Sequence, residues 1–281
     1  MKSNCELLSV FGTLLIIVLV NGAIVEIEDG KIEGGELVSR LGVTFDAFLA
    51  IPYAEPPLND LRFQPPVPVK PWDGVFNAKN YGPFCMQKSM GSPGNPTSEN
   101  CLQLNVFTKN LGNSQLKPTI VFIHGGAWEI GSGVDSNPVM MMDRDVVFVT
   151  INYRLGAFGF LSTGTADAYG NMALKDQTLA LKWVKKNIEH FGGDSSRITI
   201  AGFSAGAHSV TAQIVSPMAR DLIQGAIAMS GGIAWKSKLL TDYLKTAQKL
   251  AEKLDCEVDD VKEMVECLKT VISKKCLLKI N

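Results

Sequence analysis

Alternating and unbroken apolar runs mark the strands of this chain, and stretches with a three-to-four-residue apolar period mark its helices. Residues 25–27 and 31–33 flank Asp29-Gly30, a dipeptide that suits a two-residue hairpin turn because both residues reach positive φ at little cost. Residues 44–51 read as a strand stopped by Pro52. The pattern then lapses over 52–100, which is rich in Pro, Gly and Asn. Tyr53, Phe63, Trp72 and Phe76 anchor that stretch, so it reads as surface-wrapping chain rather than a linker. From residue 101 onward β-rich runs recur at 104–108, 119–123, 146–152, 198–201 and 226–229. The third run is almost wholly apolar, as a strand covered on both faces must be. Between these runs lie helical stretches. In 173–189, Leu174, Leu181, Trp183, Val184 and Ile188 fall near one stripe, and Gly192-Gly193 ends the segment. Further helices are expected over 205–215, ending before Pro217, and over 241–254. This alternation predicts an α/β fold: a mostly parallel, twisted sheet with helices on both faces.

The first 22 residues stand apart. Lys2 supplies a positive start, 7–20 is nearly unbroken apolar sequence, and Val20-Asn21-Gly22 places compact residues before Ala23. That is the layout of a secretory leader, with the mature chain opening at Ala23. The apolar run, about 14 residues, is shorter than the ~20 needed to span a bilayer, and no later stretch is longer. The expected organisation is a leader over 1–22 and one α/β domain portion over 23–281, in a secreted, extracellular protein.

Composition narrows the partners. Of 281 residues 46% are hydrophobic, enough for one large core. A net charge of -1 with no long like-charge run argues against nucleic acid and against an anionic membrane once the leader is cleaved, leaving a small molecule. Leader removal takes Cys5 and leaves five cysteines to meet an oxidising compartment. Local spacing pairs Cys85 with Cys101 and Cys256 with Cys267, each closing a loop worth about 3 kcal/mol in the chain-entropy account. Cys276 is left over. No Asn-x-Ser/Thr acceptor occurs, since Asn95 precedes Pro96.

Two motifs carry chemistry. Gly202-Phe203-Ser204-Ala205-Gly206 lies between an expected strand and an expected helix, the setting in which a serine is thrust above a sheet as a nucleophile. The helix N-terminus behind it favours a developing anion. His124-Gly125-Gly126-Ala127-Trp128 follows the strand at 119–123, and its glycines let backbone N–H groups converge on a carbonyl oxygen. Gly125, Gly126 and Ala205 are therefore the expected oxyanion-hole donors, with Ser204 as the catalytic nucleophile.

These motifs, in this order, resemble the type-B carboxylesterases, the cholinesterase and carboxylesterase branch of the α/β-hydrolases, and look most like insect secreted esterases. The resemblance runs from about residue 25 to 268. It includes Ala54-Glu55-Pro56-Pro57, Ser98-Glu99-Asn100-Cys101-Leu102, Asn152-Tyr153-Arg154-Leu155-Gly156 and Gly170-Asn171-Met172-Ala173-Leu174-Lys175-Asp176-Gln177. It implies the α/β-hydrolase fold, hydrolysis of a small carboxylic ester through an acyl-enzyme, both disulfides, and no metal or organic cofactor. Asn100 stands where the family has Asp, and Phe203 where it commonly has Glu. The 86–100 loop lacks the Trp with which cholinesterases stack choline, which disfavours a quaternary ammonium substrate. That loop and Trp128 are expected to line part of the gorge.

A base is harder to find. Of three histidines, His124 precedes the oxyanion glycines, His190 ends the long helix, and His208 sits one turn beyond Ser204 on its own helix. None has the position of a triad base. Glu252, Glu257, Glu263 and Glu266 have no site-forming context. The resemblance puts the family's Glu and His beyond residue 281. A domain lacking those later strands would expose a sheet edge and apolar surface, and the tail 274–281 reads unlike the family. The expectation is therefore the N-terminal portion of a serine esterase, inactive alone. The competing expectation is a non-catalytic secreted binding or carrier protein, or an inactive truncated isoform.

Overall fold

The computed structural model describes residues 22–88, 96–232 and 242–271. Residues 1–21 of the leader with Cys5, residues 89–95 of the 86–100 loop, Thr241, Cys276 and the tail 274–281 lie outside those residues. In chain order the strands are β1 (Ile24–Ile27), β2 (Gly30–Glu33), β3 (Gly35–Val38), β4 (Thr44–Pro52), β5 (Val75–Asn77), β6 (Phe84–Cys85), β7 (Thr97–Ser98), β8 (Gln103–Thr108), β9 (Lys117–Ile123), β10 (Val147–Ile151), β11 (Gly193–Phe203) and β12 (Gly225–Met229). The helices are α1 (Gly156–Phe160), α2 (Met172–Asn187), α3 (Ala205–Val215), α4 (Tyr243–Lys253) and α5 (Val261–Thr270). The hairpin forms as expected, with Ile27 opposite Gly30.

One seven-stranded sheet, in the order β12-β11-β9-β10-β8-β4-β3, organises the molecule. Strands β12, β11, β9 and β10 run parallel, whereas β8, β4 and β3 each pair antiparallel with their inner neighbour. Five strands therefore point one way, and only β8 and β3 oppose them. This is the α/β-hydrolase arrangement that the strand-helix alternation predicts. The apolar run in β10 sits at the centre and is buried at all five positions. Val147, Val149 and Ile151 join Val121, Ile198, Leu181 and Val184 in the main core, while Phe148 turns to the opposite face among Phe45, Phe107 and Met142. That period of two lets one strand serve two cores.

The helical cover is uneven. α2 and α3 lie on one face, while the apolar cluster on the other is closed, among the described residues, by the turn Met141–Asp143 and by strand side chains. The chain between β9 and β10 is broken by glycines and a proline, which deny it a long helix.

Besides β3, α1 and the short strands β5, β6 and β7, which the apolar pattern does not mark, three elements depart from expectation. β11 begins five residues earlier than expected, with Gly193 opposite Lys117 and a register shift before Ile198. The Asp194 carboxylate accepts from Ser196 N (2.8 Å) and Arg197 Nε (2.6 Å), which holds the bulge. α5 arises where only a disulfide-closed segment was expected. Its N-cap Asp260 accepts from Glu263 N at 2.9 Å, a capping pattern visible as Asp-x-x-Glu in the sequence. On α2 the buried stripe runs through Ala173, Asp176, Gln177, Ala180, Leu181 and Val184, and Leu174 is only half-buried. Polar residues thus occupy the core face.

Both expected disulfides are present. Cys85–Cys101 has a Cα–Cα distance of 5.0 Å and closes the loop at the β6–β7 pair. Cys256–Cys267 (5.8 Å) ties α5 to the chain after α4, beside an apolar cluster around Phe63, Phe158, Met264 and Leu268. At the far edge, β12 pairs with β11 alone among the described residues, and Ile227 and Met229 are exposed.

Candidate active site

Parallel pairing of β9 with β11 brings the two motifs together. Gly202 lies opposite Ile123, so the residues that follow, His124-Gly125 and Phe203-Ser204, leave the sheet side by side. This is the carboxyl end of adjacent parallel strands, where α/β sheets bind ligands. Gly125 packs so closely on the elbow that a Cβ there would lie 2.6 Å from Phe203 O.

The elbow is tight for a definite reason. Ser204 has φ 56 and ψ -121, a conformation that an L-residue holds only under constraint from its surroundings. A Cβ on Gly202 would approach Gly206 to 2.4 Å, and one on Gly206 would lie 2.1 Å from Ile123 O. Glycine is required at both positions by close backbone approach. Ser204 N donates to Met229 O of β12 (2.9 Å), and Ser204 O accepts from His208 N (3.1 Å) in the first turn of α3. Ala205, the next residue, holds the first helical position, where the backbone N–H has no intrahelical partner.

The loop after β9 has Gly126 at φ 101, Ala127 at φ 56 and Trp128 at φ 58. Among the described residues no protein acceptor takes the N–H groups of Gly125, Gly126 or Ala127. Ala127 is therefore a further donor candidate, one that the sequence motif does not mark. Its left-handed φ has no signature in an alanine, which is why only the two glycines stood out.

The three histidines separate clearly. His190 is exposed in the 3-10 turn Ile188–Phe191, before β11 begins, whereas Ser204 follows its end. The 11-residue strand between them is about 30 Å long. His208 is half-buried, and its Nδ1 lies 2.9 Å from Ser204 O, an acceptor that requires the Nδ1–H tautomer. That contact turns Nδ1 to the backbone rather than to the serine hydroxyl. His124 is buried, stacked on Tyr153 at 4.3 Å, with Nδ1 2.8 Å from Gly125 O. Tyr153 Oη donates to His124 O at 2.7 Å. Glu252, Glu257, Glu263 and Glu266 are all exposed. The described residues thus bring the candidate nucleophile and the oxyanion candidates together without a candidate base. Phe203, 54% exposed, projects beside the elbow.

Burial lowers the His124 pKa from 6.5 to about 4, against a smaller upward pull from its bond to Gly125 O. The folded state therefore binds fewer protons than the unfolded state between these values. Its contribution is complete above pH 6.5 and is lost as pH falls through about 4, amounting to about 3 kcal/mol. Denaturant titrations at pH 7 and pH 4 should show that loss, and His124→Phe should flatten it. Asp194, lowered to about 2 first by its bond to the Ser196 hydroxyl, acts only below this window.

No group of His, Cys, Asp and Glu among the described residues is arranged to hold a metal ion, and no helix there is long and apolar enough to cross a membrane. The carboxylesterase family model matches residues 21–280. This chain belongs to the carboxylesterase family. The match reaches past residue 268, where the motifs stop, so the reading of 274–281 as unlike the family is corrected; that tail simply carries no motif of its own. A carboxylic ester hydrolase of Bombus ignitus is 44% identical over 86% of this chain and 44% of its own length. A juvenile hormone esterase of Tribolium castaneum is 42% identical over 88% and 43%, respectively. Esterase FE4 of Myzus persicae is 40% identical over 96% and 50%. The carboxylesterase-family chain thus spans about half the length of the curated relatives it matches.

Proposed function

We propose that this chain is the nucleophile-bearing portion of a secreted carboxylic ester hydrolase. Ser204 Oγ attacks the ester carbonyl, and the negative charge that develops is held by the N–H groups of Gly125, Gly126 and Ala205, with Ala127 adjoining. The alcohol leaves, an acyl-enzyme forms on Ser204, and water releases the acid. The base and acid that this cycle needs are supplied by polypeptide outside the described residues. The partner is a small ester; Trp128 and Phe160, 5.9 Å apart and half-buried, offer it an apolar wall. Secretion follows from the leader pattern together with the two disulfides.

The observation that carries this reading is the pairing of Gly202 with Ile123, which sets a strained serine beside a loop whose N–H groups have no acceptor among the described residues. The test is a chimera joining residues 1–271 to the remaining length of a relative such as the Bombus ignitus hydrolase. It is expected to hydrolyse short carboxylic esters and to label at Ser204 with a fluorophosphonate. A folded chimera that does neither would sink the proposal.

A further inference from the structure

Ser209 lies one turn beyond the elbow on α3 and is fully buried. Its hydroxyl oxygen accepts from Trp128 Nε1 at 2.9 Å and from Gln177 Nε2 at 3.1 Å, which takes both lone pairs of a serine. The chain of bonds continues. Gln177 Oε1 accepts from Gln213 Nε2 (3.2 Å), and Gln213 Oε1 accepts from the Thr178 hydroxyl (2.9 Å). A polar relay thus crosses from the loop after β9, through α3, to the buried face of α2.

A second, independent observation gives the relay a task. Gly126, Ala127 and Trp128 hold left-handed φ in succession, a costly conformation for the last two. Such strain persists only where neighbours over-determine it. Gly156 N fixes the main chain by donating to Trp128 O at 2.7 Å. Ser209 fixes the side chain.

We infer that Ser209 is a positioning residue that locks the Trp128 indole, and through it keeps the N–H groups of Gly126 and Ala127 turned toward Ser204. The inference rests on the hydrolase reading for its catalytic meaning, but its mechanics can be measured without catalysis. In the full 281-residue chain, Ser209→Ala deprives Trp128 Nε1 and Gln177 Nε2 of this acceptor. Trp128→Phe removes the same bond from the other side while keeping a ring. Each is expected to speed hydrogen exchange of the Glu129, Ile130 and Gly156 amides, which donate to Gly126 O and Trp128 O, about fivefold to tenfold, with β10 unchanged and no further gain in the double variant. Unchanged amides, or equal acceleration throughout α2 and α3, would overturn the inference. In the chimera, kcat should fall about tenfold to a hundredfold at nearly constant KM; a rise in KM at constant kcat would also overturn it. An inactive parent chimera that still shows the localised exchange would count against the hydrolase reading and support the positioning role.

Discussion

Ser204→Ala is expected to lower kcat for ester hydrolysis in the chimera by roughly 10⁵- to 10⁶-fold while leaving KM within a few fold. The asymmetry follows from what the substitution removes. Only the Oγ atom is lost; the N–H groups of the loop after β9 and of Ala205 remain, so the ester still binds. The residual rate, roughly 10³-fold above water, would come from those donors and from binding alone. Stability should hold or rise, because Ser204 N and O keep their bonds to Met229 O and His208 N whatever the side chain. Steady-state kinetics, fluorophosphonate labelling and a denaturant midpoint test each part. A loss below tenfold, or labelling at another residue, would remove Ser204 from the role of nucleophile.

The sequence announced that site in unequal measure. Gly202 and Gly206 were legible because a motif compresses a three-dimensional fact, the approach of two backbones to within about one atom's width. Both disulfides were legible from spacing, because neither loop is long. The central strand declared itself through an apolar run buried on two faces. What stayed hidden depends on partners far along the chain. Ala127 carries no mark of its left-handed φ, which the bonds to Trp128 impose from α3 and from Gly156. α2 misled in a different way. An apolar stripe sets the orientation of an ordinary helix, but here Asp176 and Gln177 occupy the core face and Leu174 is displaced. A helix can bury such residues only when acceptors and donors wait for them, and those partners, Arg154 and Ser209, lie 22 and 32 residues away.

Asp176 therefore carries the larger of the stability predictions. Its side chain is fully buried, and it accepts from Arg154 N (3.1 Å), Nε (2.8 Å) and Nη2 (2.7 Å). Arg154 is itself 4% exposed, so nothing outside can neutralise it if the carboxylate goes. Asp176→Ala is expected to cost about 3–5 kcal/mol in chemical denaturation, a large part of the stability of a single domain. Asp176→Asn, which keeps the shape and one acceptor but not the charge, should fall between that and the parent. Replacing both partners together with apolar residues of similar volume should recover most of the loss, because the penalty comes from the stranded guanidinium rather than from an intrinsic worth of the pair. If the single and double variants are equally destabilised, the ion pair is not the cause. The effect should also reach the site. Arg154 stands between β10 and α1, two residues before Gly156, whose N–H holds Trp128 O at 2.7 Å. Loosening Arg154 in Asp176→Asn should therefore speed exchange of the Glu129, Ile130 and Gly156 amides before global unfolding sets in, joining the buried ion pair to the same loop that Ser209 clamps from the other side.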